Sequence, residues 1–263
     1  MPLTYSDYLT SIFQLLSGHR TANEERISED RFREISPFIK LMNTTRILDL
    51  ANGRLRPQYT LINTKGYQAF GLDIANNKDD YFQSQGYRLA RWIYKSHIGD
   101  RISSEEDRLV SGDVNSLPYK NDIFDLITSV AAFEHFLDVP GTVCEIHRVI
   151  QVGGFAYIRI HLFTCLSGGH NIKIMEIPLQ TLPKGVDAWD HLRKRQLPFD
   201  VPLNRWRIHQ YLEEFSRHFE IVNHYCASRE GEHLLTPEIE AELSDYSRDE
   251  LTCGAYVIVA RKS

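Results

Sequence analysis

The sequence predicts an α/β fold: a doubly wound, mostly parallel sheet with a terminal antiparallel hairpin and helical insertions. Three observations carry this expectation. Short apolar segments bounded by glycine and polar turns alternate with segments of helical spacing along most of the chain. The apolar segments hold few charges, as strands covered on both faces do. Acids and small residues recur where those segments end, at the edge where open sheets of this kind bind ligands.

The elements follow in order. Arg46-Ile-Leu-Asp-Leu50 reads as the first strand and runs into a turn of small residues at Ala51-Asn-Gly53. Residues 57–65 read as a helix, Gly66-Tyr67 as a turn and Ala69-Phe-Gly-Leu-Asp73 as the second strand. Strand, helix and strand in so short a span form a βαβ unit, which requires parallel strands. Arg108-Leu-Val-Ser-Gly112 and Phe124-Asp-Leu-Ile-Thr-Ser129 are the next two strands. A helix over residues 139–150 is expected to stop at Gly153-Gly154, ahead of a strand at Phe155-Ala-Tyr-Ile-Arg-Ile160. A helix over residues 204–219 then precedes strands at 220–225 and 254–260, the terminal hairpin.

Residues 1–263 read as a single domain in which three stretches exceed this minimal scheme. The first is an N-terminal helical cap over residues 1–43. It has helical spacing at Tyr5, Tyr8, Leu9, Ile12, Phe13 and Leu16, a polar stretch at 17–30 and a second helix at 31–42. The others are insertions at 76–106 and 165–202, expected over an acceptor site because insertions on a regular scaffold carry specificity.

Bulk composition narrows the function. Hydrophobic residues make up 42% and charged residues 25% of 263, an ordinary globular balance. A net charge of -5 argues against a nucleic-acid binder that relies on broad phosphate neutralisation. The four cysteines, Cys144, Cys165, Cys226 and Cys253, form no CxxC pair, so no metal site and no disulfide framework is expected, and reduced thiols suit the cytoplasm. Asp7 and the lack of a basic leader argue against a signal peptide, and no apolar run is long enough to span a bilayer.

Four strand ends carry candidate site residues. Asp49 and the Ala51-Asn-Gly53 turn allow close backbone approach by a ligand at a helix N-terminus. Asp73 ends the second strand 24 residues after Asp49, and an acid so placed accepts the hydroxyls of a ribose. Asp113, beside Gly112 and Val114, is placed to take the exocyclic amine of an adenine. Ser129 ends the fourth strand, with Glu134-His135 just beyond. Each acid also has a plainer reading: Asp49 as a helix cap, Asp73 and Asp113 as turn residues.

The order Ile47-Leu-Asp-Leu-Ala-Asn-Gly53, Gly71-Leu-Asp-Ile74, Gly112-Asp-Val-Asn-Ser-Leu-Pro118, Phe124-Asp-Leu-Ile127, Phe133-Glu-His135 and Glu145-Ile-His-Arg-Val-Ile-Gln-Val-Gly-Gly154 resembles the type 11 branch of class I methyltransferases, over residues 44–163. The resemblance implies a Rossmann-like fold, S-adenosyl-L-methionine as cofactor and a small or medium-sized acceptor bearing a hydroxyl or sugar-like group. It places cofactor contacts on Asp49, Ala51, Gly53, Asp73, Asp113 and Val114, with Ser129 as a further candidate. Three glycines usual in the family's first loop read here Ala51, Gly53 and Leu55. Alanine is a mild change where φ stays negative, whereas leucine removes one close approach.

For the acceptor side, His161 at the end of the fifth strand ranks first as general base, followed by His135 and then His170. Gly168-Gly169 suggests a mobile lid over residues 165–202, and the aromatics of 189–207 and 81–94 suit stacking on an acceptor or packing against the core. Two rival readings stand beside the enzyme. One is a nicotinamide dehydrogenase, which lacks its GxGxxG here; the other is a degenerate fold that serves only as a scaffold.

Overall fold

The computed structural model describes residues 16–76, 81–98, 108–170, 174, 182, 185–195 and 201–263. Among them seven strands form one sheet in the order β3-β2-β1-β4-β5-β7-β6. The parallel part comprises β1 (Arg46–Leu50), β2 (Gln68–Leu72), β3 (Leu109–Val110), β4 (Phe124–Val130) and β5 (Ile150–His161). β7 (Cys253–Arg261) runs antiparallel between β5 and β6 (Glu220–Arg229), which makes the expected terminal hairpin.

Alternation of side chains along the strands divides the core into two layers. Ile47, Leu126, Phe155 and Tyr157 reach one layer, with Ile35 from α1 (His19–Ile35) and Tyr59 and Ile62 from α2 (Pro57–Thr64). Leu48, Ile127, Ala156 and Ile158 reach the other. That layer takes Val143 and Ile146 from α4 (Val139–Val149) and Tyr211 and Phe215 from α5 (Ile208–Ser216). A further helix, α3 (Tyr81–His97), lies in the 76–106 insertion, and α6 (Pro237–Glu242) and α7 (Arg248–Thr252) precede β7.

Several boundaries differ from the sequence expectation for physical reasons. The helix expected at 31–42 is α1, which spans the polar stretch instead. Its buried stripe runs Thr21, Ile27, Ser28, Arg31 and Ile35, and three of these five are polar, so hydropathy does not reveal it. The helix at 5–16 lies outside the described residues apart from Leu16. The third strand shrinks from 108–112 to two residues. The helix expected from 204 starts at Ile208, where the Gln210 side chain accepts from the Arg207 N–H at 2.8 Å through its Oε1. Gly153-Gly154 does not stop α4, which ends at Val149 and passes straight into β5. Gly153, at φ 80°, sits where the register of β5 against β4 shifts, and it donates to Lys262 O at 2.8 Å.

Arg31 fixes α1 to the sheet. Its guanidinium is wholly buried and donates to Gln58 Oε1 at 2.8 Å, Thr128 Oγ1 at 3.3 Å and Ser28 Oγ at 3.1 Å. One side chain thus joins α1, α2 and β4, and burial lowers its pKa to about 10. Replacing Arg31 by Ala should cost about 3 kcal/mol or more, because charged hydrogen bonds and packed volume go together. Guanidinium unfolding measures this; a loss below about 1 kcal/mol would show that α1 docks without it.

Candidate functional site

The chain leaves β1 toward β2 on one side and leaves β4 toward β5 on the other, so the loops after β1 and β4 part at the carboxyl edge of the sheet. Two adjacent cavities open there. The first, of about 400 Å³, is lined by Asp49, Gly53, Arg54, Leu55, Gln58 and Tyr87 among others. The second, of about 570 Å³, is lined by residues including Asp73, Ile74, Asp113, Val114, His135 and Leu137. Ala51 and Ala131 belong to both linings.

The loop after β1 is shaped by left-handed backbone. Ala51 has φ 56°, Gly53 φ 65° and Arg56 φ 55°, and Ala131 across the cleft has φ 50°. Alanine at 51 is therefore not the mild change expected at negative φ: a side-chain-bearing residue held left-handed costs roughly 1–2 kcal/mol. Asp73 holds the loop in place. Its Oδ2 accepts from the Gly53 N–H at 2.9 Å and its Oδ1 from Ala75 N–H at 2.7 Å. Asp113 lines the second cavity while closing its own turn, accepting from Asn115 N–H at 2.9 Å.

Asp49 meets its plainer reading as a cap and also lines a cavity. It is 2% exposed and accepts from the Tyr59 N–H in the first turn of α2, yet it lines the first cavity with an Oδ2 that has no hydrogen-bond partner. Desolvation pushes its carboxyl up to about 7, against the pull of the Arg31 charge. Ser129, expected at the rim, is wholly buried inside β4 opposite Ile158 and is not in either lining; Val130 and Ala131 hold the rim instead.

The three candidate histidines do converge. The His170 ring lies 4.8 Å from that of His161 and 4.8 Å from that of His135. Of the three, only His135 lines a described cavity. Its Nδ1 faces the Pro202 carbonyl at 3.0 Å, so that nitrogen donates and Nε2 keeps its lone pair. His161 sits deeper, with Nε2 at 2.8 Å from Ser167 Oγ. The Ser167 hydroxyl donates to Glu230 at 2.8 Å, so His161 donates through Nε2. Burial lowers the pKa of both His161 and His170, the latter to about 3. Glu134, buried among them, is pushed up to about 8 by the same desolvation.

Comparison with known proteins agrees with this fold. A family model described as a methyltransferase domain, Methyltransf_11, matches residues 48–158. Over those residues, less than half of its length, the chain resembles a class I, S-adenosylmethionine-dependent methyltransferase of the type 11 branch. The biotin biosynthesis bifunctional protein BioHC of Cellvibrio japonicus is 29% identical over 117 residues, 44% of this chain and 20% of that protein, so the likeness spans about one fifth of the relative's length. One chain of the complex formed by the Haloferax volcanii methyltransferase activator Trm112 aligns over 95% of this chain and 97% of its own, at 16% identity and a TM-score of 0.52. Phosphoethanolamine N-methyltransferase 2 of Haemonchus contortus, solved with S-adenosyl-L-methionine, aligns over 89% of this chain and 52% of its own, at 14% identity and a TM-score of 0.51. Among the described residues, no helix is long and apolar enough to cross a membrane.

At the start of the 165–202 insertion the two glycines read as a hinge sit in tight packing. Gly168 and Gly169 are small because the chain packs tightly: a Cβ on Gly168 would collide with the Phe163 carbonyl, and one on Gly169 would lie 2.7 Å from His191 Cβ. Trp189, expected to stack on an acceptor, is wholly buried with Leu166, Leu235 and Leu251, and donates to Leu251 O at 3.1 Å. Much of 171–184 and all of 196–200 lie outside the described residues. From the 76–106 insertion, Tyr87 lines the first cavity under Arg54, and Arg91 donates to Arg54 O at 2.8 Å. Tyr87 is one of the aromatics the sequence offered for a pocket wall, whereas Arg31, beneath Asp49, went unnoticed because a single arginine in a polar stretch looks like surface.

Burial of Asp49 carries a sign that can be tested. With a folded pKa of about 7 and an unfolded one near 3.9, the folded chain holds a proton that the unfolded chain has released across that window. Stability from this group is therefore lost as pH rises from about 4 to 7. Asp49→Asn removes the titration but keeps an acceptor for Tyr59. The wild type should lose roughly 2 kcal/mol relative to this variant between pH 5 and pH 8 in paired denaturation curves. A difference that stays flat with pH would show that Asp49 is hydrated.

Proposed function

We propose that this chain transfers a methyl group from S-adenosylmethionine to a small or medium-sized acceptor carrying a hydroxyl or sugar-like group. The pair of cavities joined at Ala51 and Ala131 carries this reading. The second cavity presents Asp73 for the ribose and Asp113 with Val114 for the adenine. The first presents Asp49 and Gly53, with Arg54 near at hand, for the charged methionine end. The sulfonium then lies between the two alanines, whose small side chains leave room for in-line attack. Transfer is a displacement at carbon, so alignment of the nucleophile supplies most of the acceleration. His135, at the rim of the second cavity, is the group this reading assigns to the acceptor end.

Two measurements test the reading. Calorimetry with S-adenosylmethionine and S-adenosylhomocysteine should show one site per chain, and Asp73→Ala should weaken it at least tenfold, because charge-assisted bonds to a ribose are each worth about 1.5–3 kcal/mol. A folded wild type that binds neither compound would favour the scaffold reading. His135→Ala should leave cofactor affinity intact and lower turnover about 10²- to 10⁴-fold with the true acceptor. Unchanged turnover would remove His135 from the chemistry.

A further inference from the structure

Glu134, His135 and His170 meet in a way that hydrogen bonding does not explain. Glu134 Oε1 lies 3.9 Å from His135 Nε2 and 4.0 Å from His170 Nε2, and one ligand atom from each residue falls within 4.8 Å of the others. These separations are too long for hydrogen bonds. Glu134 Oε1 and His170 Nε2 are both buried and have no partner at all. The other oxygen, Glu134 Oε2, faces the His161 N–H at 3.4 Å, which leaves Oε1 as the atom available to a guest.

The surroundings hold these three groups in place. Pro202 O accepts from His135 Nδ1–H and leaves the Nε2 lone pair toward Glu134, the arrangement that fixes the tautomer of a metal-bound histidine. Asn204 clamps the short turn that carries Glu134 and His135. Its Nδ2 donates to Phe133 O at 2.7 Å and Phe136 O at 3.0 Å, and its N–H donates to Glu134 O at 2.8 Å. His170 is held at φ 51°, a left-handed conformation of the kind that persists where the surroundings impose it.

We propose that Glu134, His135 and His170 bind a divalent first-row transition-metal ion at the rim of the second cavity. Two imidazoles and a carboxylate suit zinc, iron, cobalt or manganese better than magnesium or calcium. Ligand atoms around such an ion, with bonds of about 2.0–2.2 Å, stand roughly 3.4 Å apart in a tetrahedral site. Closing the cage therefore takes movements of about half an ångström to an ångström at each side-chain end. Three protein ligands leave at least one position open, and His135 stands at the rim of the second cavity, beside which the acceptor is proposed to approach. An oxygen of the acceptor is the natural occupant, a clause that rests on the methyl-transfer reading; metal binding itself does not.

The test uses the full chain, stripped with a chelator and dialysed. Titration with Co²⁺, followed by visible absorption, and with Zn²⁺, followed by calorimetry, should show one ion per chain and no comparable uptake of Mg²⁺. Glu134→Gln and His170→Ala should each weaken Co²⁺ binding at least tenfold. His135→Ala is the decisive variant, because that side chain is 34% exposed and its loss threatens folding least; it should do the same with an unchanged melting curve. A second group of potential ligands, His161, Cys165 and Glu230, lies close by. Binding there would give Co²⁺ a thiolate charge-transfer band in the near ultraviolet, which the proposed site does not. Such a band, binding that survives in folded His135→Ala, or no binding by the wild type would each overturn the proposal, the last leaving a bridging water to serve the three atoms. Since none of these readouts involves S-adenosylmethionine, failure here is distinct from failure of the methyl-transfer reading.

Discussion

The parallel pairing of β1 with β4 is the constraint on which the rest depends. Ile47, Leu48 and Asp49 stand opposite Leu126, Ile127 and Thr128, and from that seam the chain winds outward in both directions. Because the two strands end side by side while their onward connections diverge, a cleft must open at their carboxyl ends. Every residue assigned to cofactor or acceptor stands on a loop leaving that edge or on an element laid against it. The core serves the same seam, since alternate side chains from β1 and β4 fill one layer or the other and hold the central strands from both faces.

The carboxyls at the floor of the cleft are buried, and that governs its electrostatics. Asp49 and Glu134 come from the loops and strand ends on either side of the seam, both are buried, and both carboxyls are pushed toward the neutral form. A cation brought beside either carboxyl favours its anion, so the site grows more negative as a positively charged guest arrives. Arg31 plays the opposite part beneath the floor. It is a buried cation that moderates Asp49 while its hydrogen bonds are spent on fixing α1.

Much of this was legible in the residues. The strands at 46–50 and 124–130, the helix at 57–64 and the closing hairpin follow from apolar runs and turn chemistry, and Asp73 and Asp113 fell at strand ends where the cavities are. What escaped did so for identifiable reasons. The stripe of α1 is built from Thr21, Ser28 and Arg31, whose burial depends on partners in α2 and β4 that no local pattern reveals. Gly168-Gly169 looked like a hinge because glycine serves flexibility and close packing equally well, and only the neighbours Phe163 and His191 decide between them. Ser129 sits one residue short of the rim, within the uncertainty of any strand end read from sequence.

The two left-handed alanines at the junction of the cavities have a kinetic meaning. Residues 51 and 131 are held in a sparsely populated backbone region by the chain around them, Ala51 by its loop's anchorage to Asp73 and Ala131 by its N–H on Arg159 O at 2.8 Å. Neither is free to relax into the extended or helical basins that an unbound loop ordinarily samples. The waist of the cleft is thus shaped before any molecule enters it. Association then needs no slow reorganisation of these two segments. Tyr87 from α3 lines the cleft beside them, and Arg91 ties α3 to the same loop through Arg54 O.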